Sequence, residues 1–131
     1  MTPNSAWPDI TPFPSRSLGT TVVGTYGVGT NPQAIAFDGA NIWVANYFSN
    51  NIMKLNPSTG AVVGTYGVGN PLSIAFDGAN IWVTNNGSNN VTKLSLNGTN
   101  LGTFAVPPAP SGVAFDGTKI WVTYFYRVAR R

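Results

Sequence analysis

The chain has no cysteine and no histidine, and its four acidic residues are all aspartate, so glutamate is absent as well. These absences exclude disulfides, thiolate metal ligands and nucleophile–base pairs built on cysteine or histidine. Charged residues make up only 8% of the 131 positions, whereas about 25% is usual. Nor is there an apolar run of about 18 residues, so no membrane-spanning helix is predicted. A hydrophobic content of 43% with four tryptophans nevertheless predicts a folded core.

The net charge of +3 gives little reason to expect an acidic partner. Basic residues are scattered except for Arg127, Arg130 and Arg131, which we interpret as a solvated tail, so no nucleic-acid partner is predicted. Residues 1–19 form a predicted Pro-rich N-terminal arm. Its first part, Met1 to Ser17, holds four prolines and lacks the apolar core of a secretory signal peptide. Composition alone leaves the cellular compartment unknown.

One segment of the chain, Ile74 to Asn85, occurs three times. The earlier copy runs from Ile35 to Asn46 and the later one from Val113 to Tyr124, and each has two short apolar runs joined through Asp-Gly. An Asp-Gly between two such runs indicates a tight hairpin with a left-handed glycine. The aspartates and the tryptophans of the copies each recur every 39 residues. A fixed period of about 40 residues predicts stacked repeats.

Each repeat contains enough strand-like segments for one propeller blade. In the middle copy the Asn-rich loop from Asn85 to Asn90 is followed by two more strand-like runs, around Val91 and Leu101. Four antiparallel strands in about 40 residues are typical of a β-propeller blade. The sequence therefore predicts an all-β fold, a partial β-propeller of about three four-stranded antiparallel blades.

The propeller repeat domain is predicted to span residues 20–131. We expect an orphan outer strand at 20–29, blade 1 at 30–69, blade 2 at 70–106 and an incomplete blade 3 at 107–131. Counting 39 residues on from Val91 reaches Arg130, so a third strand in the last blade would barely begin. Residues 127–131 are predicted to be a slipped strand or a tail, which gives 11 or 12 strands in all.

Three blades are fewer than the four to eight of closed propellers, so two flat apolar faces would be left bare. Two arrangements would cover them: a homodimer that completes a six-bladed ring, or the remainder of a longer propeller chain. The loss of the repeat pattern after Thr123 slightly favours the second.

The repeated pattern Pro-x-x-(Ile/Val)-Ala-Phe-Asp-Gly-x-x-Ile-Trp-Val resembles bacterial YVTN-type propeller repeats. It is also similar to the NHL-like blades of virginiamycin B lyase and gluconolactonase-like proteins, over about residues 20–124. The resemblance implies a β-propeller and suggests an exported or cell-surface protein. The lyase likeness implies magnesium-assisted elimination by histidine and glutamate, and gluconolactonase-like proteins use a metal held in part by glutamate. Because this chain has neither residue, none of those ligands can be carried over, and no metal or other cofactor is predicted.

The repeated aspartates and tryptophans are interpreted as structural. An aspartate at a turn caps the turn through its own side chain, and a tryptophan on an inner strand is expected between blades. Because the aspartates lie one blade apart, they are not expected to form a carboxylate pair or a metal site. These structural repeat positions are Asp38, Asp77, Asp116, Trp43, Trp82 and Trp121.

The remaining candidate is the face formed by loops entering the first strands and following the second strands of the blades. These loops are rich in amides and aromatic residues, which suit neutral polar ligands such as glycans or peptides. We therefore predict a non-catalytic binding or scaffold module; the alternative is a fragment of a virginiamycin B lyase-like enzyme whose catalytic blades lie outside this chain. The candidate ligand-binding residues are Gln33, Asn46, Tyr47, Ser73, Asn85, Asn86 and Tyr124.

Overall fold

Eleven β-strands in three antiparallel sheets make up the computed structural model, which describes residues 21–124 and 127–131. Blade 1 contains β1 (Pro32–Phe37), β2 (Ile42–Asn46), β3 (Asn51–Leu55) and β4 (Val62–Gly67). Blade 2 contains β5 (Pro71–Phe76), β6 (Ile81–Asn85), β7 (Asn90–Leu94) and β8 (Asn100–Ala105). Blade 3 contains β9 (Pro110–Phe115), β10 (Ile120–Tyr124) and β11 (Arg127–Arg130). The predicted arm at 1–19 lies outside the described residues.

The strands of each blade are hydrogen-bonded in chain order as a meander. No helix occurs in the two described ranges, and the predicted all-β fold, a partial propeller of about three blades, is confirmed. The first hairpin of every blade closes at a glycine with positive φ, +95° at Gly39, +94° at Gly78 and +98° at Gly117. Only glycine takes this conformation without steric cost, which is why Asp-Gly recurs at this turn.

The core lies in the seams between successive blades. In the first seam Trp43 of blade 1 is fully buried in a cluster with residues that blade 2 supplies: Ile74, Ile81, Val83 and Leu94. In the second seam Trp82 of blade 2 clusters with Ile120 and Val122 of blade 3. Both faces of the inner strands of blade 2 are therefore covered, which explains why these strands are apolar on both sides.

Blade 3 differs from the prediction at its third strand. Residues 127–130 form a full strand, with Trp121 opposite Arg130 and Tyr124 opposite Arg127. In blade 2 the corresponding partner of Trp82 is Lys93, so Arg130 is equivalent to Lys93 although only 37 residues separate them. Two residues separate β10 from β11, whereas four separate the equivalent strands of the earlier blades. Of the two predicted alternatives for residues 127–131, the slipped strand is therefore confirmed, and it is longer than the 39-residue count indicated.

The expected orphan strand at 20–29 is also corrected in part. The eight residues 22–29 are identical in sequence to 62–69, which contain β4, but residues 21–29 belong to no sheet. A strand is defined by pairing, and residues 21–29 are hydrogen-bonded to none of the described strands. Tyr26 nevertheless occupies the position of an outer-strand aromatic residue. Tyr26 packs on Gly60 of blade 1 as Tyr66 of β4 packs on Gly98 of blade 2.

Candidate functional site

The two ends of the blades differ in chemistry. Strand pairing places Pro32 beside Asn46 and Asn51 beside Gly67, so the loops between β2 and β3 and between β4 and β5 lie at one end. We call this end the loop face; it also includes the equivalent loops of the other blades. Its loop residues in 28–34, 46–51, 68–73, 85–90 and 106–112 carry no charge, whereas Arg127 begins β11 at the position that Asn51 and Asn90 hold in blades 1 and 2. The Asp-Gly turns lie at the opposite end, because Phe37 pairs with Ile42.

The three aspartates at the opposite end are fully engaged in their own turns. Asp77 Oδ1 accepts hydrogen bonds from the backbone N–H of Ala79 at 2.9 Å and of Asn80 at 2.7 Å. Its Oδ2 accepts from Trp82 Nε1 at 2.7 Å. Asp38 and Asp116 make the same three contacts with their own turns and tryptophans. Each carboxylate therefore fixes the following indole, which is a structural task.

The pKa values of these aspartates agree with this engagement. Burial alone would raise the pKa of Asp38, but the hydrogen bonds from Trp43 and the turn outweigh it and lower the pKa. The pKa of Asp77 is lowered by the same balance. At the exposed copy, the backbone N–H of Lys119, followed by the indole of Trp121, lowers the pKa of Asp116 to about 2. A carboxyl group with a lowered pKa is a poor general acid near neutral pH.

The repeated lysines pack between the blades. Lys54 Nζ lies 5.3 Å from the Trp43 ring centroid, and it donates a hydrogen bond to the carbonyl of Leu96 in blade 2 at 2.5 Å. Lys93 lies over Trp82 at the same distance, and the Arg130 guanidinium lies 5.8 Å from the Trp121 ring. A cation over an indole face is attracted by the ring's quadrupole. Lys54 and Lys93 therefore contribute to the seams, whereas Arg130 covers an indole on the open side of blade 3. The description of the last arginines as a solvated tail was incomplete.

On the loop face, two of the predicted binding residues are in direct contact. Tyr47 of blade 1 donates its hydroxyl hydrogen bond to Asn86 Oδ1 of blade 2 at 3.3 Å. Asn86 Nδ2 in turn donates to the carbonyl of Pro110 in blade 3 at 3.1 Å. The two side chains form a polar connection across all three blades. Both are half-buried, so each serves blade packing as well as any ligand.

Asn46 and Asn85 lie beneath this surface and are almost completely buried, with 0% and 2% exposure. Asn46 Nδ2 donates to Asn51 Oδ1, and Asn85 Nδ2 donates to both Asn90 Oδ1 and Thr92 Oγ1. The Oδ1 atoms of Asn46 and Asn85 have no hydrogen-bond partner among the described residues. A buried amide oxygen of this kind usually binds an ordered water. Their position makes them supports of the loop face, not its contact surface.

The other three predicted residues are dispersed. Gln33 is exposed, donates from Nε2 to Asn31 Oδ1 at 2.7 Å and lines the open side of blade 1. Ser73 is half-buried, and its carbonyl accepts from Thr84 Oγ1 at 3.5 Å. Tyr124 is half-buried at the end of β10. The structure therefore brings Tyr47 and Asn86 together but does not gather all seven residues around one point.

Phe48 was absent from the predicted binding residues although it is the most exposed aromatic of the described loop face. Its side chain is 64% exposed, and its ring meets Tyr47 edge-on with centroids 5.2 Å apart. The signal in the sequence was the adjacent Tyr-Phe pair, which replaces the Asn-Gly found at this place in the next repeat.

Several side-chain amides of the loop face accept hydrogen bonds from the backbone that leads into the next blade. Asn50 and Asn89 adopt positive φ values of +55° and +56°, a conformation that asparagine tolerates better than most residues. Asn50 Oδ1 accepts from the backbone N–H of Asn70, and Asn89 Oδ1 accepts from that of Ala109, both at 2.9 Å. The asparagine enrichment of these loops is thus largely explained by turn geometry and by links to the next blade.

The two outer blades each expose an apolar surface. On the N-terminal open face, formed by Ile35, Phe37 and Ile42 of blade 1, Ile35 is 69% exposed, whereas its equivalent in blade 2, Ile74, is buried. On the C-terminal open face, formed by Trp121 and Val128 of blade 3, Trp121 is 38% exposed although Trp43 is fully buried. A cavity of about 620 Å³ lies against the N-terminal open face, below Tyr26.

No protein-family model and no curated protein sequence matches the chain. Solved structures do match its fold. Hydrazine synthase of Kuenenia stuttgartiensis superimposes with a TM-score of 0.71 at 23% identity, covering 84% of this chain and 35% of that chain. Virginiamycin B lyase from Staphylococcus aureus, in a catalytically inactive form with quinupristin, gives 0.65 at 21% identity and covers 72% and 34%. A streptogramin B lyase structure gives 0.64 at 24% identity and covers 78% and 37%.

These likenesses define the chain as a β-propeller module, and the resemblance to virginiamycin B lyase propellers is confirmed as a likeness of fold. The chain spans about one third of the length of each of these three structures. Among the described residues no helix is long and apolar enough to cross a membrane, and no group of three or more acidic residues comes together as a metal site.

Proposed function

We propose that this propeller module acts by binding, and that its loop face recognises a neutral polar ligand, for which a neutral oligosaccharide is the best candidate. The observation that carries the proposal is the exposed Phe48 ring beside Tyr47, on a surface with amide and hydroxyl groups and with no charged residue in the loops at 46–51 and 85–90. Aromatic faces offer apolar contact to a sugar ring, and amides supply donors and acceptors to its hydroxyls. A charged ligand would find no opposite charge in the loops at 46–51 and 85–90.

The architecture supports a binding role for this end. Tyr47 and Asn86 are already held by each other and by blade 3, so their orientation is fixed before a ligand arrives. A preformed arrangement of this kind reduces the entropy that binding costs. The virginiamycin B lyase structure was obtained with quinupristin, so a propeller of this fold can accommodate a ligand.

A test of the proposal uses an array of neutral and acidic oligosaccharides and uncharged peptides, followed by calorimetry with the best binder. Phe48→Ala should weaken binding by at least about tenfold, because an aromatic ring that stacks on a ligand is often a hot spot that supplies much of the binding free energy. Leu101→Ala is the matched control, since Leu101 is 49% exposed on the outer strand of blade 2, away from the loop face. Binding that is unchanged in Phe48→Ala, or a preference for acidic sugars or for peptides, would contradict the proposal.

The lyase likeness supplies a second candidate, an enzyme fragment whose catalytic blades lie on other polypeptide. This chain offers no histidine or glutamate for elimination chemistry. A fragment without those blades would leave quinupristin intact, as would a binding module, so the DNA that flanks the coding sequence is the better test. An in-frame continuation that encodes histidine- and glutamate-bearing blades would favour the enzyme fragment, and a stop codon would favour the binding module.

A further inference from the structure

The cavity on blade 1 is lined by residues equivalent to those that surround Trp43 in the first seam. In the first seam the indole of Trp43 packs with four apolar side chains of blade 2. Moving each of these four positions back by 39 residues gives four residues that line the cavity on blade 1: Ile35, Ile42, Val44 and Leu55. The cavity is therefore the place that the indole of a preceding blade would fill.

On the C-terminal open face, Trp121 is already oriented as a tryptophan that packs in such a cavity. Trp121 Nε1 donates to Asp116 Oδ2 at 2.8 Å, the same bond that orients Trp43 and Trp82 in the covered seams. The Arg130 guanidinium lies over the ring of Trp121, 5.8 Å from its centroid. Although partly exposed, this side chain is fixed in the orientation of its buried equivalents. Little ordering would remain to be done when a partner covers it.

Tyr26 is the second residue that links the two open faces, because it could supply the aromatic neighbour that Trp121 lacks. In blades 1 and 2 the tryptophan stacks with an aromatic residue of the outer strand, Trp43 with Tyr66 at 5.8 Å and Trp82 with Phe104 at 5.9 Å. Blade 3 has no fourth strand among the described residues, so Trp121 lacks this neighbour. Tyr26 is positioned on Gly60 as Tyr66 is on Gly98, yet it is 50% exposed and stacks with no tryptophan of the residues that the structure describes.

We propose that two copies of this chain join head to tail, with Trp121 of each copy seated in the cavity on blade 1 of the other. Residues 22–27 of one copy then form the fourth strand of blade 3 in the other, with Tyr26 stacked on Trp121. The seam between the two copies would be equivalent to the two seams within the chain. The two open faces should therefore fit each other as the packed faces of neighbouring blades do. Two copies give six blades, within the four to eight of closed propellers, whereas three blades cannot close alone.

The register of the added strand follows from blade 1. There Met53 pairs with Thr65 and Lys54 with Gly64 in the β3–β4 ladder. Since Arg130 is equivalent to Lys54, the ladder places Thr25 of one copy opposite Ala129 of the other. Lys54 donates to the Leu96 carbonyl of the next blade, so Arg130 of one copy should approach the equivalent carbonyl, that of Pro57, in the other.

Cysteine trapping tests this register, and the absence of native cysteine keeps the result clean. Opposite residues in an antiparallel pair have Cβ atoms about 5 Å apart, close enough for a disulfide after small adjustment. Mixing Thr25→Cys with Ala129→Cys under mild oxidation should give a covalent dimer. Thr103→Cys, at an exposed position on β8, is the control and should not cross-link with Ala129→Cys. Equal cross-linking by both pairs, or by neither, would overturn the proposal.

Light scattering after size-exclusion chromatography tests the assembly itself. At micromolar concentration the chain should elute at twice its mass of 13.8 kDa. Ile35→Glu, on the N-terminal open face, should convert it to a monomer with an unchanged circular dichroism spectrum. Leu101→Glu adds the same charge at an exposed apolar position of blade 2 and should leave the dimer intact. A monomeric parent chain, larger open assemblies, or equal effects of the two variants would each refute the head-to-tail dimer.

Discussion

Replacing Asp38 with asparagine should destabilise the fold because one hydrogen bond of the carboxylate is lost. Asp38 Oδ1 accepts from the backbone N–H of Ala40 at 2.8 Å and of Asn41 at 2.6 Å, while Oδ2 accepts from Trp43 Nε1 at 2.8 Å. Asparagine has one acceptor oxygen, so its amide nitrogen must face either the turn or the indole. Trp43 is fully buried, so water cannot replace the lost partner. Losing a hydrogen bond to a charged group and leaving a buried donor unpaired costs about 2–3 kcal/mol.

Urea denaturation followed by tryptophan fluorescence measures this loss. The matched control is Asp116→Asn, and both substitutions are compared in the Ile35→Glu background, because the proposed dimer would cover Trp121. In the single chain the indole of Trp121 is 38% exposed and can bond to water, so the effect of Asp116→Asn should be markedly smaller. A second control repeats Asp38→Asn in a Trp43→Phe background, where no indole N–H exists and most of the cost should disappear. Equal losses for Asp38→Asn and Asp116→Asn would refute the reasoning, because burial of the indole would then not set the cost.

The same carboxylates predict how stability depends on pH. In the folded chain hydrogen bonds lower the pKa of Asp38, Asp77 and Asp116 below the ordinary value of 3.8, to about 2 for Asp116. Groups with lowered folded-state pKa values stabilise the fold above the unfolded-state pKa and lose that contribution as pH falls. The free energy of unfolding should therefore decrease from about pH 4 towards pH 2. Asp38→Asn should make this decrease shallower, and an unchanged slope would argue against the assignment.

Two further substitutions test other contacts. Tyr47→Phe removes the hydroxyl that donates to Asn86 and should lower the free energy of unfolding by about 1 kcal/mol in a denaturant titration; no change would mean that this bond adds nothing to the seam. Gly98→Ala should destabilise more than Gly117→Ala in the same assay. Both glycines have positive φ, but only at Gly98 would the added Cβ collide with the ring of Tyr66; equal losses would show that backbone strain alone matters.

Much of the fold followed from periodicity. The 39-residue step of Asp77 and Trp82 was sufficient to predict the hairpins and the blade architecture, since a turn and a buried indole are local requirements repeated in each copy. For the third strand of blade 3 the sequence left a slipped strand and a tail open, because two missing residues shift the 39-residue count. The repeat pattern does not show where the two residues are missing, whereas the pairing of Trp121 with Arg130 does.

The candidate site was harder to predict than the fold. Asn85 and Asn86 are adjacent and chemically identical, but the first is buried beneath the loop face and the second bridges two blades. That difference depends on where the neighbouring blade lies, which a sequence of turn-forming residues does not encode locally. Phe48 belongs to the aromatic residues predicted for the loop face but not to the seven predicted binding residues, because its exposure depends on surroundings that the sequence does not show.

Blade 2 receives an indole from the module before it and inserts its own into the module after it, and three of the four receiving positions are apolar on both sides. A tandem duplication of its 39 codons would therefore lengthen the array while leaving every existing junction chemically intact. Deletion of the same unit would bring the flanks of blades 1 and 3 together through matching chemistry. Proteins of this architecture can accordingly change their number of modules by recombination between repeats, without a new interface having to evolve first.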